Sequence, residues 1–306
     1  MLNAGAAGAA PAASEANGEH EPGRRLDRRS PYPGAPEPNW HPAAGRGAAL
    51  LATAAVIDAV TPAIEIERLR MCQGAAAVLD DLTLTVRRDE IFGVLGRNGA
   101  GKTSLLESIL MRRVPQAGTV RLFGESHHRA STRSQLAYLP ERFQPPGHLR
   151  GHDFVRLTLA FQGRPAKRAR TDALAEQLEL DPGALRRPIR DYSKGMAQKL
   201  GLLAVLLTDL PLLVLDEPMS GLDPAARVLV RRQLAAYRAR GRAILLSSHI
   251  PADHEGVCDR IAVLHGGRLA YLGTPGELQA RHGAPTLESA FVATIAGPGL
   301  LKALAP

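Results

Sequence analysis

Cysteine is almost missing from this chain: Cys72 and Cys258 are its two cysteines in 306 residues. Neither has a CxxC or metal-like spacing, which argues against a disulfide framework and fits a reducing compartment. Aromatic residues make up only 4%, with one tryptophan, while 45% of the residues are apolar. A core of that size must therefore be built from Leu, Val, Ile and Ala. Lysine is scarce, so the net charge of +8 rests almost wholly on arginine. Such a balance fits nucleic acid, anionic lipid or phosphorylated ligands. The basic residues are scattered, however, apart from RPAKRAR at 164–170, and no basic stripe is interleaved with aromatics. No nucleic acid is expected on that pattern. A run of about 20 apolar residues, enough to span a bilayer, is also lacking. AALLATAAVI (48–57) is short and is followed by Asp58 and Pro62, and LGLLAVLLTDLPLLVL (200–215) is broken by Asp209 and Pro211. The second reads as a core helix followed by a core strand. No basic start leads into an apolar stretch at the N-terminus, so no secretory signal is expected.

Residues 1–60 are rich in Ala, Pro and Gly without apolar periodicity. They are expected to form a disordered extension, with a possible short helix or ordered lead-in over 47–60. The texture changes near residue 61. AIEIERLRM and LTLTVRR alternate as strands, and IFGVLG is a short, wholly apolar strand of the kind buried in a sheet. TSLLESILMR has helical spacing. TVRLFG and LAYLP read as strands, 150–208 as mostly helical, LLVLDEP and AILLSSH as buried strands. AARVLVRRQLAAYRARG reads as a helix closed by Gly241, and RIAVLHGGRLAYLG as two strands around Gly266–Gly267. Strands alternating with helices define an α/β fold with a partly parallel sheet, and no internal repeat is present.

The stretch GRNGAGKTS, directly after IFGVLG, fits G-x-x-x-x-G-K-[ST] from Gly96 to Thr103. Gly96, Gly99 and Gly101 let the backbone curl so that successive N–H groups face phosphate oxygens. The helix that follows adds its positive end. Lys102 is expected to reach the β- and γ-phosphates and the Thr103 hydroxyl to meet Mg²⁺. A merely flexible loop needs neither. LLVLDEP (212–218) then ends a buried strand in two carboxylates: Asp216 suited to the Mg²⁺ shell and Glu217 to polarising the attacking water. His249 closes the strand AILLSSH.

Together these segments resemble the ATP-binding subunits of ABC transporters over roughly residues 62–295. GRNGAGKTS resembles the Walker A loop, LLVLDEP the Walker B strand, SGLDP (220–224) the D-loop and LSSHI the switch-histidine segment. YSKGMAQKL (192–200) resembles the signature segment, in the version common among ABC-2 type exporter ATPases. The resemblance implies a P-loop NTPase (RecA-like) core with a mixed β-sheet, an antiparallel β-subdomain and an inserted helical subdomain at about 128–199, within an ATPase domain at 61–306. It implies that Gly96, Asn98, Gly99, Gly101, Lys102, Thr103 and Ser104 hold the triphosphate and Mg²⁺. It further implies that Asp216 supports Mg²⁺, Glu217 is the catalytic base and His249 contacts the γ-phosphate. Ser193 and Gly195 would meet the nucleotide on a facing subunit, with Asp223 at that interface.

Four places depart from the family pattern. Glu141 in YLPERF stands where a glutamine is usual; it can still serve Mg²⁺ or its water, but it is no amide donor, and Gln144 is three residues late. No aromatic lies at 71–74 (MCQG) to stack on adenine, a contact worth roughly 1–3 kcal/mol by analogy with base stacking elsewhere. Lys194 and Met196 replace a glycine and a glutamine of the signature. The partners implied are a separate multi-span permease and a second ATPase subunit, with a homodimer favoured because both half-sites are complete. The implied location is cytoplasmic, on the inner face of the cell membrane. The rival expectations are a soluble ABC ATPase acting on nucleic acid or ribosomes and a non-hydrolysing nucleotide-dependent binding module.

Overall fold

A computed structural model describes residues 61–74 and 76–296. The expected N-terminal extension, residues 1–60, lies outside the described residues. Two sheets are present among them. The first is antiparallel, with spatial order β2 (Ala76–Val86), β1 (Ile64–Gln73), β4 (Ala117–Leu122) and β5 (Glu125–Ser126). The second runs β10 (Arg268–Gly273), β9 (Arg260–His265), β3 (Ile91–Gly96), β8 (Ala243–Ser248), β7 (Leu212–Asp216) and β6 (Leu136–Leu139). Its strands are parallel except for β10, which returns antiparallel to β9 through a turn in which Gly266 and Gly267 have φ of 55° and 75°.

The wholly apolar strands are explained by burial of the second sheet on both faces. Successive residues of β3, β7, β8 and β9 enter two different cores. Ile91 and Leu95, Leu213 and Leu215, Ile244 and Leu246, Ile261 and Val263 face one. Phe92 and Val94, Leu212 and Val214, Ala243 and Leu245, Ala262 and Leu264 face the other. Helix α1 (Lys102–Ile109) and the antiparallel sheet close the second core, with Leu105, Leu106 and Ile109 packed against Ile66, Leu84 and Leu122. The first core takes α3 (Gly151–Phe161), α4 (Arg168–Gln177), α5 (Lys194–Thr208) and α6 (Pro224–Arg238), together with the C-terminal α7 (Pro275–His282) and α8 (Leu287–Ala296). A single short turn, α2 (Ala130–Arg133), precedes β6. The expected helical region therefore contains one strand, β6, that belongs to the central sheet, and its larger helices begin at Gly151. No described helix is long and apolar enough to cross a membrane.

The parallel strands matter for function because their C-terminal ends lie together, and ligands in such sheets bind outside those ends. β3 ends at Gly96, β7 at Asp216 and β8 at Ser248, while β6 runs out toward Glu141. Beneath this edge sits His254, fully buried. Its Nε2 lies 3.4 Å from the Ser248 carbonyl, which can only accept, so the proton is on Nε2; Nδ1 lies 3.5 Å from Cys258 Sγ. A side chain at Gly93 of β3 would collide with the imidazole, which explains the glycine in the middle of a buried strand.

Burial pushes the His254 pKa down from 6.5 to about 4. The unfolded chain therefore binds more protons between those values. The neutral ring's contribution is complete above pH 6.5 and is lost as pH falls toward 4, amounting to about 3 kcal/mol at the limit. Urea unfolding of the chain at pH 7 and at pH 4.5 should show that loss in the wild type and a clearly smaller pH dependence in His254→Gln; equal slopes would refute the assignment.

Candidate nucleotide site

The loop between β3 and α1 is built from glycines for identifiable reasons. Gly101 caps α1 at φ 104°, and a Cβ there would lie 2.6 Å from Leu79 Cδ2 and 2.9 Å from the Val78 carbonyl. A Cβ on Gly96 would stand 2.8 Å from the Leu264 carbonyl. Gly99 has φ 81° and opens to solvent, beside exposed Asn98. The glycines thus leave the loop backbone free of side chains at these three positions. Thr103 is exposed and Ser104 half-buried on the first turn of α1.

Lys102 is the exception, at 7% exposure. Its Nζ donates to the Gly96 carbonyl at 2.8 Å and lies 3.5 Å from that of Arg97. The nearest anion is Glu217 Oε1, 3.6 Å away. That same oxygen is 2.9 Å from His249 Nδ1, which therefore donates to it. Glu217 is 6% exposed and has φ 48°, a left-handed conformation uncommon outside glycine. Its backbone N–H is held by the Ser247 carbonyl at 3.1 Å and by Ser247 Oγ at 3.3 Å.

Asp216 is 2% exposed and accepts the Ser247 hydroxyl at 2.5 Å. Burial pushes its carboxyl above the ordinary aspartate value. The Ser247 bond and Lys102 oppose that shift, while Glu141 and Glu217 reinforce it. Glu141 itself is exposed, just past the end of β6. Asp216 and Glu217 are two buried carboxylates in succession at the end of β7, and a divalent cation would offset their repulsion. Among the described residues no group of three or more His, Cys, Asp or Glu side chains forms a metal site by itself.

Ser193 and Asp223 lie elsewhere on the surface. Ser193 N-caps α5, accepting the Met196 N–H at 3.2 Å, and Asp223 N-caps α6, accepting that of Ala226 at 2.8 Å. The Ala226 bond, foremost, holds the Asp223 carboxyl below its ordinary range. A Cβ added at Gly195 would meet the Gly221 carbonyl at 3.6 Å and Leu222 Cδ2 at 3.9 Å, so the signature segment runs beside the segment following β7. Neither cap touches the phosphate loop of its own chain. The sequence reading did not single out Ser247, Ser248 or Gln198. The two serines each bond a site carboxylate, and Gln198 Nε2 donates to the Pro218 carbonyl at 3.0 Å. The only signal for the serines was their place in an otherwise apolar strand just before His249.

A glycine loop on a parallel sheet, an embedded lysine and two strand-end acids define a P-loop nucleoside triphosphatase. The model of the family described as ABC transporter matches residues 79–220. The Nod factor export ATP-binding protein I of Ralstonia nicotianae is 36% identical over 222 residues, 71% of this chain and 69% of that protein. The bacitracin transport ATP-binding protein BcrA of Enterococcus faecalis is 34% identical over 223 residues, 72% and 71% of the two chains. The solved structure of an ATP-binding subunit of an ABC transporter superposes with a TM-score of 0.69 at 30% identity, covering 76% of this chain and 98% of that one. A bacterial Atm1-family ABC exporter with ATP bound shares the fold, with a TM-score of 0.66 at 21% identity, over 78% of this chain and 43% of that one. The chain belongs to the family of ABC transporter ATP-binding proteins. It is an ATPase of that family.

Gly101→Ala combines a disfavoured φ with a collision against Leu79. It is expected to keep the folded circular-dichroism signal and to weaken ATP binding at least about tenfold, as measured by calorimetry, because distorting the cradle costs one to a few kcal/mol. Unchanged affinity would show that the loop backbone does not hold the nucleotide.

Proposed function

We propose that the chain is the energy-supplying subunit of an ABC-2-like exporter, working on a separate membrane permease from its inner face. The observation that carries this reading is the meeting of Lys102, Glu217 and His249, brought from three elements to within hydrogen-bond or ion-pair reach. In this reading the N–H groups of 96–104 and Lys102 hold the triphosphate. Glu217 takes the proton of the water that attacks the γ-phosphorus, and His249 orients the Glu217 carboxylate and contacts the γ-phosphate. Mg²⁺, when bound through Thr103, Asp216 and Glu141, would supply neutralisation of the phosphate charge. Two copies would face each other, with Ser193 and Gly195 of each completing the other's site and Asp223 at the seam.

The helical region at about 128–199 would then carry the change to the permease. Its segment 148–157 is the docking candidate. In support, α3 exposes Leu157 at 44% and, four residues on, Phe161 at 81%. Export is supported by the relatives' names and by the form of the signature segment.

Lys102→Ala should abolish ATP turnover. Glu217→Gln should still bind ATP and hydrolyse it about 10²–10³-fold more slowly, the scale seen when a transition-state group is lost. Near-normal single-turnover rates in Glu217→Gln would remove it as the base. The same variant, held with ATP and extracted in mild detergent alongside the products of neighbouring genes, should co-purify with a multi-span protein. Recovery with RNA or ribosomes instead would favour a soluble ATPase.

A further inference from the structure

Glu217 is tied to the protein through its second oxygen as well. Glu217 Oε2 lies 3.1 Å from Ser248 Oγ, and Ser248 Oγ lies 2.8 Å from Asp253 Oδ2. Ser248 Oγ also accepts the Ile250 N–H at 3.1 Å. The hydroxyl has one proton and two carboxylates to give it to. Asp253 is 3% exposed, so its charge needs a partner. Arg227, on the first turns of α6, donates to Asp253 Oδ1 at 2.8 Å, and its Nε donates to the Leu222 carbonyl at 3.2 Å. Leu222 belongs to SGLDP and directly precedes the Asp223 cap.

We infer that Arg227 and Asp253 are positioning residues for the catalytic carboxylate, acting through the single proton of Ser248. With Arg227 in place, Asp253 is compensated and the Ser248 proton can serve Glu217 Oε2. Withdraw the guanidinium and the buried Asp253 takes that proton, leaving Glu217 Oε2 against a lone pair. Because the same guanidinium holds the Leu222 carbonyl, the orientation of Glu217 is coupled to the position of the 220–224 segment. A partner subunit pressing on that segment would thereby reach the base without touching it. Lys102 and His249 engage only Oε1, so neither substitutes for Ser248.

The inference rests on Glu217 being the base, and a double-mutant cycle on the full chain separates the two claims. If Glu217→Gln alone turns over ATP normally, the underlying assignment fails. If Glu217→Gln is slow, Arg227→Gln in the wild-type background should lower kcat roughly tenfold, about one net hydrogen bond, with KM for ATP unchanged. In the Glu217→Gln background it should cost nothing further. Arg227→Lys, which keeps the charge beside Asp253, should recover most of the rate. So should Asp253→Asn added to Arg227→Gln, because the competing acceptor's charge is then gone. An equal loss in both backgrounds, or a change in KM without kcat, would mean that the pair only braces the fold. If Arg227→Gln does not fold, Ser248→Ala carries the test: it should show the same kcat loss and be indifferent to Arg227→Lys. Normal kcat in Ser248→Ala would overturn the inference.

Discussion

The site depends on one buried charge. Lys102 is an ammonium group at 7% exposure, with two backbone carbonyls and one carboxylate around it. A cation taken out of water that far must be compensated or it will lose its proton or its place. Glu217 provides the compensation at 3.6 Å, a distance that leaves the pair separable. An arriving polyphosphate offers Lys102 more negative charge than Glu217 does, which would release the carboxylate for another task. In the proposed mechanism, substrate binding and release of Glu217 would be two sides of one exchange of partners.

That exchange is possible because β7 and β8 are neighbours in register. Asp216 pairs with Ser247 across the parallel ladder, so the next residues along, Glu217 and Ser248, also come together. A one-residue slip of either strand would send these polar residues into the hydrophobic cores on either face and bring leucines to the site. Leu212–Leu215 and Ala243–Leu246 are buried throughout, successive residues in different cores, and a slip would exchange side chains of different shape and size between those cores. Packing of the core therefore sets the chemistry of its rim, and sheet stability and site geometry share the same residues.

Much of this was legible in the residues themselves. IFGVLG followed by GRNGAGKTS announces a buried strand, a phosphate loop and a helix because each has its own local pattern, and β3 and α1 lie where the pattern puts them. LLVLDEP and AILLSSH were equally plain. The strand β5 is two residues long and α2 is one turn, too short to leave a periodic signal. The relay from Glu217 to Arg227 was invisible for a different reason. Its members lie at 217, 248, 253 and 227, and only the pairing of β7 with β8 and the return of the chain under α6 bring them together. Arg227 reads in sequence as one more arginine on a solvated helix face.

The backbone at Glu217 shows where the fold gives up stability for this arrangement. A φ of 48° costs a glutamate of the order of 1 kcal/mol or more relative to a relaxed conformation. Glycine would relieve the strain but remove the carboxylate. The strain persists because the surroundings over-determine it. The N–H is fixed by Ser247, the carbonyl accepts the Ser220 N–H at 3.0 Å, and both side-chain oxygens have partners. In this conformation the chain turns sharply off the end of β7. The carboxylate is left facing Lys102, while the backbone continues through Pro218 and Met219 into SGLDP and the Asp223 cap of α6. An extended residue here would carry the chain straight on and separate this carboxylate from the segment that Arg227 grips. The unfavourable torsion is therefore what allows one residue to belong both to the phosphate site and to the segment leading to α6.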